Sequence, residues 1–101
     1  MKNDEVVAAF LYGLDAENKT LNSTKVTKDT TNGEVTMLRS YNTLIATRVY
    51  DPSTKLELVT LMRPKHTTTT TSRHMSLVRE WANRWVLANL NMKREVISQD
   101  V

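Results

Sequence analysis

Cysteine is absent from this 101-residue chain, and there are only two glycines, two prolines and one phenylalanine. Without cysteine, the chain has neither a disulfide framework nor a thiolate metal site. Its isolated glycines, Gly13 and Gly33, exclude a glycine-rich phosphate-binding loop. No apolar run approaches the roughly 20 residues that span a bilayer. These absences remove several common classes of enzyme and membrane protein.

The remaining composition is that of a globular protein. Apolar residues make up 40% of the chain and charged residues 25%, which is enough apolar surface for one modest core. We therefore expect residues 1–101 to form a single domain. The acidic start, residues 1–5, lacks the apolar region of a signal peptide, and we expect the protein in the cytoplasm.

The first half of the chain predicts a helix followed by strands. Residues 4–14 have an acidic start, an apolar face and a glycine near the end, as is typical of a short helix. Residues 19–31 are polar and threonine-rich and predict an exposed edge strand around residues 21–27, and Asn32-Gly33 predicts a turn. Residues 34–50 are the most strand-like stretch, with a bulge or bend expected near residues 40–42.

The second half predicts another strand and the main helix. Asp51-Pro52 indicates a turn, after which residues 55–63 predict a strand that completes a hairpin. Threonines 67–71 offer capping hydroxyls for a helix over residues 73–91, whose apolar stripe includes Trp81 and Trp85. We expect the tail, residues 92–101, to fray.

The order of these elements predicts the fold class. It is a two-layer α+β domain with an antiparallel sheet of three or more strands. A short N-terminal helix and a longer C-terminal helix are expected to pack on that sheet.

A search for catalytic or ligand-binding chemistry finds little. The only two histidines, His66 and His74, are eight residues apart with no carboxylate between them, which is a poor metal site. We therefore predict no enzyme activity, no metal and no cofactor. One alternative is a small ribonuclease-like enzyme that uses Arg39, Tyr41, Arg73 and His74.

The positive charge lies mainly in the C-terminal half of the chain. The net charge is only +3. However, residues 39–66 carry five cations and two carboxylates, and residues 73–94 carry five cations and one carboxylate. A basic C-terminal half of this kind is able to bind an acidic protein or the phosphate backbone of a nucleic acid. The candidate binding residues are Arg39, Tyr41, Arg48, Arg63, Lys65, Arg73, His74, Arg79 and Arg84.

Two segments resemble the paired signature of a known group of short domains. Residues 40–46 read Ser-Tyr-Asn-Thr-Leu-Ile-Ala, and residues 70–74 read Thr-Thr-Ser-Arg-His. They resemble a family of short uncharacterised domains of bacteriophages and mobile elements, in which a Ser-Tyr-x-Thr-x-Ile-Ala strand precedes a Thr-Thr-x-x-His helix start. The usual Tyr-Ser before the threonine pair is replaced here by threonines. The resemblance implies a phage accessory protein, and by analogy an inhibitor of host defence of the anti-CRISPR type.

Physically, the polar groups of this signature are able to form one hydrogen-bonded network that locks the helix onto the sheet. Its expected members are Tyr41, Thr43, Thr70, Thr71 and His74. A structural role explains the signature as well as a binding site does.

The sequence thus leads to one main functional hypothesis and one alternative beside the ribonuclease. The main hypothesis is non-enzymatic binding to a host protein or ribonucleoprotein, in inhibition of a defence system such as CRISPR. The alternative is nucleic-acid binding through the basic C-terminal half. No membrane partner is expected.

The alternative has a direct test. With few aromatic residues for base stacking, we expect no binding to DNA or RNA tighter than about 10⁻⁶ M at roughly 150 mM salt. Fluorescence anisotropy with single- and double-stranded DNA and RNA measures this. Sub-micromolar binding that the double substitution Arg73→Ala/Arg79→Ala weakens would contradict the prediction.

Overall fold

The structure, a computed structural model, describes residues 1–26, 33–88 and 91–101. It is an α+β fold in which two helices pack on a six-stranded, mostly antiparallel sheet. The elements are, in chain order, α1 (Asn3–Leu11), β1 (Ala16–Glu17), β2 (Leu21–Val26), β3 (Glu34–Ser40), β4 (Thr43–Asp51), β5 (Leu56–Arg63), α2 (Thr69–Ala88) and β6 (Lys93–Asp100). The predicted fold class is confirmed.

The strands lie side by side in the order of the sequence. Strands β1 to β5 form an antiparallel meander, whereas β6 pairs with β5 in parallel. A parallel neighbour requires a crossover that returns the chain to the same end of the sheet. Helix α2 is that crossover, and it contacts β4, β5 and β6 on one face.

One face of the sheet and both helices enclose the core. Helix α1 contributes its apolar side, of which Val7 and Phe10 are fully buried. Leu38, Ala46 and Leu61 lie in register on three neighbouring strands and point to the same side. Val78, Ala82 and Trp85 supply the buried stripe of α2. Because the two helices also contact each other, one continuous core forms on this side of the sheet.

The long strand-like stretch of the sequence is a hairpin. Strands β3 and β4 are joined by a two-residue turn, Tyr41-Asn42, where the sequence predicted a bulge or bend. Tyr41 has φ +55°, and its N–H donates to the carbonyl oxygen of Thr20 at 2.7 Å. A β-bulge does occur, but it lies in β4 opposite Leu38 and Arg39, where Ile45 is the extra residue.

Two turns follow the predicted pattern as far as the structure describes them. Gly33 has φ +86°, and a Cβ on it would lie 1.9 Å from the carbonyl oxygen of Tyr50, so only glycine fits. Asn32, the other residue of that predicted turn, lies outside the described residues. The turn after β4 is held by Asp51, whose Oδ1 accepts from the N–H and the hydroxyl of Ser53.

Two features of these elements differ from the sequence prediction. Residues 21–27 were expected to be an edge strand, but β2 has the two-residue strand β1 on its outer side, and Leu21 and Ser23 are buried. Helix α2 begins at Thr69, four residues earlier than predicted, because its cap is Thr68. Its described part ends at Ala88, and residues 89 and 90 lie outside the description.

The expectation of a frayed tail is wrong for most of its length. Residues 93–100 form strand β6, paired with β5 along all eight positions. The sequence of this strand contains only two apolar residues, Val96 and Ile97, so its own strand signal is weak. The partner strand and Arg94 fix it in place.

Among the described residues, no helix is both long and apolar enough to cross a membrane.

Trp85 is 4% exposed, on the side of α2 that faces the core. We expect Trp85→Ala to lower the free energy of unfolding by about 3–5 kcal/mol, because a large aromatic side chain leaves a cavity. Urea unfolding followed by circular dichroism measures the change. Leu87→Ala is the matched control, since Leu87 lies two residues further along the same helix with 70% exposure. Equal stability of the Trp85→Ala variant and the parent would contradict the buried placement.

Candidate functional site

A buried polar junction joins the N-terminal turn of α2 to the end of β3. The hydroxyl oxygen of Ser40 lies 2.7 Å from Nδ1 of His74 and 3.0 Å from the hydroxyl oxygen of Thr71. All three residues are almost completely buried. Buried polar groups need hydrogen-bond partners, and here each supplies another's. The junction therefore fixes where the helix starts on the sheet.

The threonine run supplies the cap of this helix. The hydroxyl oxygen of Thr68 accepts the N–H of Thr71 at 3.1 Å, which is the usual N-cap contact to the third helical residue. The Thr68 hydroxyl also donates to the hydroxyl of Thr71, and so extends the junction to the surface. The network predicted from the signature is thus present with different members. Ser40 and Thr68 take part, whereas Tyr41, Thr43 and Thr70 are exposed.

A serine hydrogen-bonded to a histidine is also the arrangement of a nucleophile and its base. Here Ser40 has no exposed surface, so a substrate cannot approach its oxygen in this conformation. The hydroxyl of Thr71 occupies the other side of Ser40. The geometry is that of a structural contact.

Burial lowers the pKa of His74 below its ordinary value of 6.5. The imidazole is thus held neutral in the folded chain at pH values where an unfolded chain would take up a proton. When the folded state binds fewer protons than the unfolded state, stability rises with pH. The contribution of His74 is therefore complete above about pH 6.5 and is lost as the pH falls below that value.

A second buried polar cluster is charged. Oε2 of Glu57 lies 3.3 Å from Nη2 of Arg48 and 3.5 Å from Nε of Arg94, and all three side chains are less than a tenth exposed. The Arg94 guanidinium also lies 4.7 Å from the centre of the Trp85 ring and donates to the Trp85 carbonyl oxygen at 2.8 Å. The cluster joins β4, β5, β6 and α2.

Two guanidinium groups against one carboxylate leave this cluster with one excess positive charge. Nε and Nη1 of Arg48, Nε of Arg94 and the hydroxyl of Thr36 are buried without a hydrogen-bond partner among the described residues. Arg48 also packs closely against Gly13, since a Cβ on residue 13 would lie 2.5 Å from Nη1 of Arg48. The cluster is therefore tightly enclosed and electrostatically incomplete.

The opposite face of the sheet is covered by neither helix. Its side chains come from the alternate positions of each strand. Polar residues, among them Asn22, Glu95 and Gln99, lie on it towards the two edges of the sheet. The rest of this surface consists mainly of aliphatic residues, methionines and threonines with one arginine. We call this part the open face; it comprises Val35, Met37, Arg39, Thr47, Val49, Leu58, Thr60, Met62 and Ile97. Most are half-buried by their neighbours in the sheet, Ile97 is 46% exposed, and none belongs to the core beneath the helices.

The sequence prediction missed the open face. Alternation of apolar residues along β3 and β4 is its signal, but both phases of these strands are partly apolar. The alternation alone did not say which phase the helices cover. An aliphatic surface without a covering element is characteristic of an interaction site.

The candidate binding residues lie in several places. Arg48 and His74 are buried, so they belong to no accessible surface. Arg39 is on the open face, Tyr41 is exposed at the tip of the β3–β4 hairpin, and Arg63 lies 4.0 Å from Asp100 at the end of the sheet. The other four are exposed: Lys65 between β5 and α2, and Arg73, Arg79 and Arg84 on α2.

The arginines of α2 do not form one cluster. Arg73 and Arg84 share a side of the helix but are about 16 Å apart along its axis, and Arg79 projects in another direction. Arg84 is also paired with Glu80 at 2.6 Å. The structure therefore does not bring the basic residues of the C-terminal half together.

The set considered for a ribonuclease does not converge either. His74 lies on the helix-covered side of the sheet, whereas Arg39 lies on the open face. Tyr41 projects from the hairpin tip with 55% exposure. The sheet itself separates the groups that would have to act on one phosphate.

A narrow apolar crevice between the helices is lined by Leu11, Tyr12, Trp81 and Trp85, with Arg84 at its side. It contains no carboxylate, histidine or nucleophile. In the described parts of the chain, no three histidine or acidic side chains group as metal ligands would.

No known protein family, no curated protein and no solved structure matches this chain. The resemblance to phage domains thus stays a prediction, and functional inference rests on the surfaces described above.

The pKa of His74 leads to a prediction. Between about pH 7.5 and 5.5, we expect the urea midpoint of the parent chain to fall with pH, because protonation favours the unfolded state. His74→Gln should remove most of that dependence. His66→Gln is the matched control, since His66 is exposed before α2 and takes no part in the junction. A flat profile for the parent chain would contradict the buried neutral state.

Proposed function

We propose that this protein acts without catalysis, by binding another protein through the open face. The observation that carries the proposal is the aliphatic character of that face. Val35, Val49 and Leu58 lie in register across three adjacent strands, and no described helix covers them. Burying such a surface against a partner is favourable at about 25 cal/mol per Å² of apolar area.

The chemistry of the open face favours a protein over a nucleic acid. A nucleic-acid surface needs clustered cations and exposed aromatic rings. The open face carries one arginine, Arg39, and its other members are aliphatic residues, methionines and threonines. The other exposed candidate cations are spread over α2, the segment before it and the end of the sheet. The pulldown described below must therefore distinguish binding to a protein from binding to a nucleic acid.

The open face also indicates the surface that the partner would present. The Arg39 guanidinium lies against the sulfur of Met37 at 3.5 Å, so a positive charge borders the aliphatic centre. A complementary partner would present an apolar patch with an acidic group opposite Arg39. Methionine side chains adapt their shape to such a patch.

The resemblance of residues 40–46 and 70–74 to phage domains supports a biological setting for this binding. In that setting, the partner would be a host protein or ribonucleoprotein of a defence system such as CRISPR, met in the host cytoplasm. Binding would then block an interaction or a movement of the partner, with no bond made or broken.

A pulldown with purified CRISPR effector complexes tests the proposal. We expect Val49→Lys to weaken retention at least tenfold, because an ammonium group would be buried against an apolar patch. Leu87→Lys is the matched control: it places the same charge on an exposed leucine of α2 and should bind like the parent chain. Melting curves establish that both variants are folded, and Leu58→Gln replaces Val49→Lys if the latter is not.

Three outcomes would contradict the proposal. One is binding that both lysine variants retain equally, which would place the site elsewhere. Another is binding to the guide RNA alone with strong salt dependence, which would favour the nucleic-acid alternative. The third is the absence of binding to every effector complex, which would exclude the proposed setting.

A further inference from the structure

The two edges of the sheet differ in how they are protected. On one side, β1 is two residues long and covers part of β2, whose exposed end carries Lys25. Short edge strands and lysines are common devices against unwanted strand pairing. On the other side, β6 runs for eight residues, and no described strand pairs with its outer edge.

Strand β6 has few protective features along its centre. It contains no proline, and its lysine, Lys93, stands at the start. The central residues Val96 and Ile97 are β-branched, and Ile97 exposes 46% of its surface on the open face. An edge of this length with an exposed apolar centre is a template for another strand.

We propose that a second copy of this chain occupies this edge, with its own β6 antiparallel to the first. A two-fold axis perpendicular to the sheet would pass beside Ile97. The two six-stranded sheets would then become one continuous sheet, with the two open faces on the same side. Ile97 would face its own copy across the axis.

The charges of the strand select this register. Opposite residues of antiparallel strands must point to the same face, so odd positions pair with odd and even with even. With Ile97 on the axis, Arg94 lies opposite Asp100 of the second copy, and Glu95 lies opposite Gln99 of the second copy. Shifting the axis to Val96 would place Glu95 against Ile97 and leave Arg94 opposite a serine.

The pairing would also compensate the excess positive charge of the buried Glu57 cluster. The Glu57 cluster holds two guanidinium groups against one carboxylate, and Arg94 is its member on β6. The side chain of Asp100 is 89% exposed, and its Oδ1 lies 4.0 Å from Nη1 of Arg63, which makes a loose ion pair. Asp100 of a second copy would bring the missing negative charge to Arg94, and the symmetry makes this contact twice.

The expected dimer is weak, because one strand pair buries less surface than a standard interface. We expect a dissociation constant on the order of 10 μM, so the dimer would dominate at about 200 μM. Light scattering after gel filtration should then give about twice the chain mass of 11.6 kDa. Ile97→Lys should give the monomer mass, because two ammonium groups would meet at the axis. Leu87→Lys is the control and should remain dimeric.

Cysteine cross-linking tests the register, since the chain has no cysteine of its own. Oxidation should link Ile97→Cys to its copy, because opposite Cβ atoms lie about 4.5–5.5 Å apart. Glu95→Cys alone should link at least fivefold less, since the two sulfurs would be offset by four residues, or roughly 13 Å. The double variant Glu95→Cys/Gln99→Cys should restore linking.

A monomer mass at about 200 μM would overturn the proposal, and so would Glu95→Cys linking as well as Ile97→Cys. The dimer does not rest on the proposed function. Val49→Lys, which should weaken partner binding at least tenfold, should leave the dimer mass unchanged, so failure of one proposal is distinguishable from failure of the other.

Discussion

The second half of the fold depends on the ion pairs that the buried carboxylate of Glu57 makes with two arginines. This carboxylate is the anion between Arg48 on β4 and Arg94 on β6, and Arg94 in turn packs on Trp85 of α2. Breaking a buried pair of this kind typically costs about 3–5 kcal/mol, because a charge is left unpaired. The same cluster restricts its surroundings, since a side chain at residue 13 would collide with Arg48. One carboxylate therefore holds the last strand in register and the helix against it.

The two faces of the sheet have different roles. The helix-covered face contains the apolar core, the charged cluster and the junction of Ser40 with His74, all of which serve stability. The open face contributes to none of these contacts. An aliphatic surface that neither helix covers and that the described core does not include is available to a partner, which is why we place binding there. Of the residues that first suggested chemistry, His74 is instead used to hold the helix on the sheet.

The two proposals complement each other. Pairing through β6 would extend the open face across two copies without covering its centre at Val49. A protein with one site per copy would then present two sites in a fixed relation, and binding to a partner with repeated features would gain from effective concentration. The electrostatic imbalance at Arg94 links this assembly to the interior of the fold.

The sequence by itself determined the main elements and the order in which they occur. Hydrophobic periodicity located both helices, and the turn residues Gly33 and Asp51-Pro52 located two strand ends, because these signals are local. It also placed Trp85 in the core and indicated a polar network at the start of α2. The members of the network were predicted only in part: Ser40 rather than Tyr41 meets His74, since the hairpin turn decides which residue faces inwards.

Only the tertiary structure decided the remaining features. Strand β6 has little strand signal of its own and forms because β5 offers it a partner and Glu57 offers Arg94 a counter-charge. Which phase of each strand is open depends on where the helices pack, and no local pattern contains that information. Likewise, the basic residues share one half of the sequence but lie apart in space. Neighbouring strand positions point to opposite faces of the sheet, and α2 carries three of these residues on its own surface.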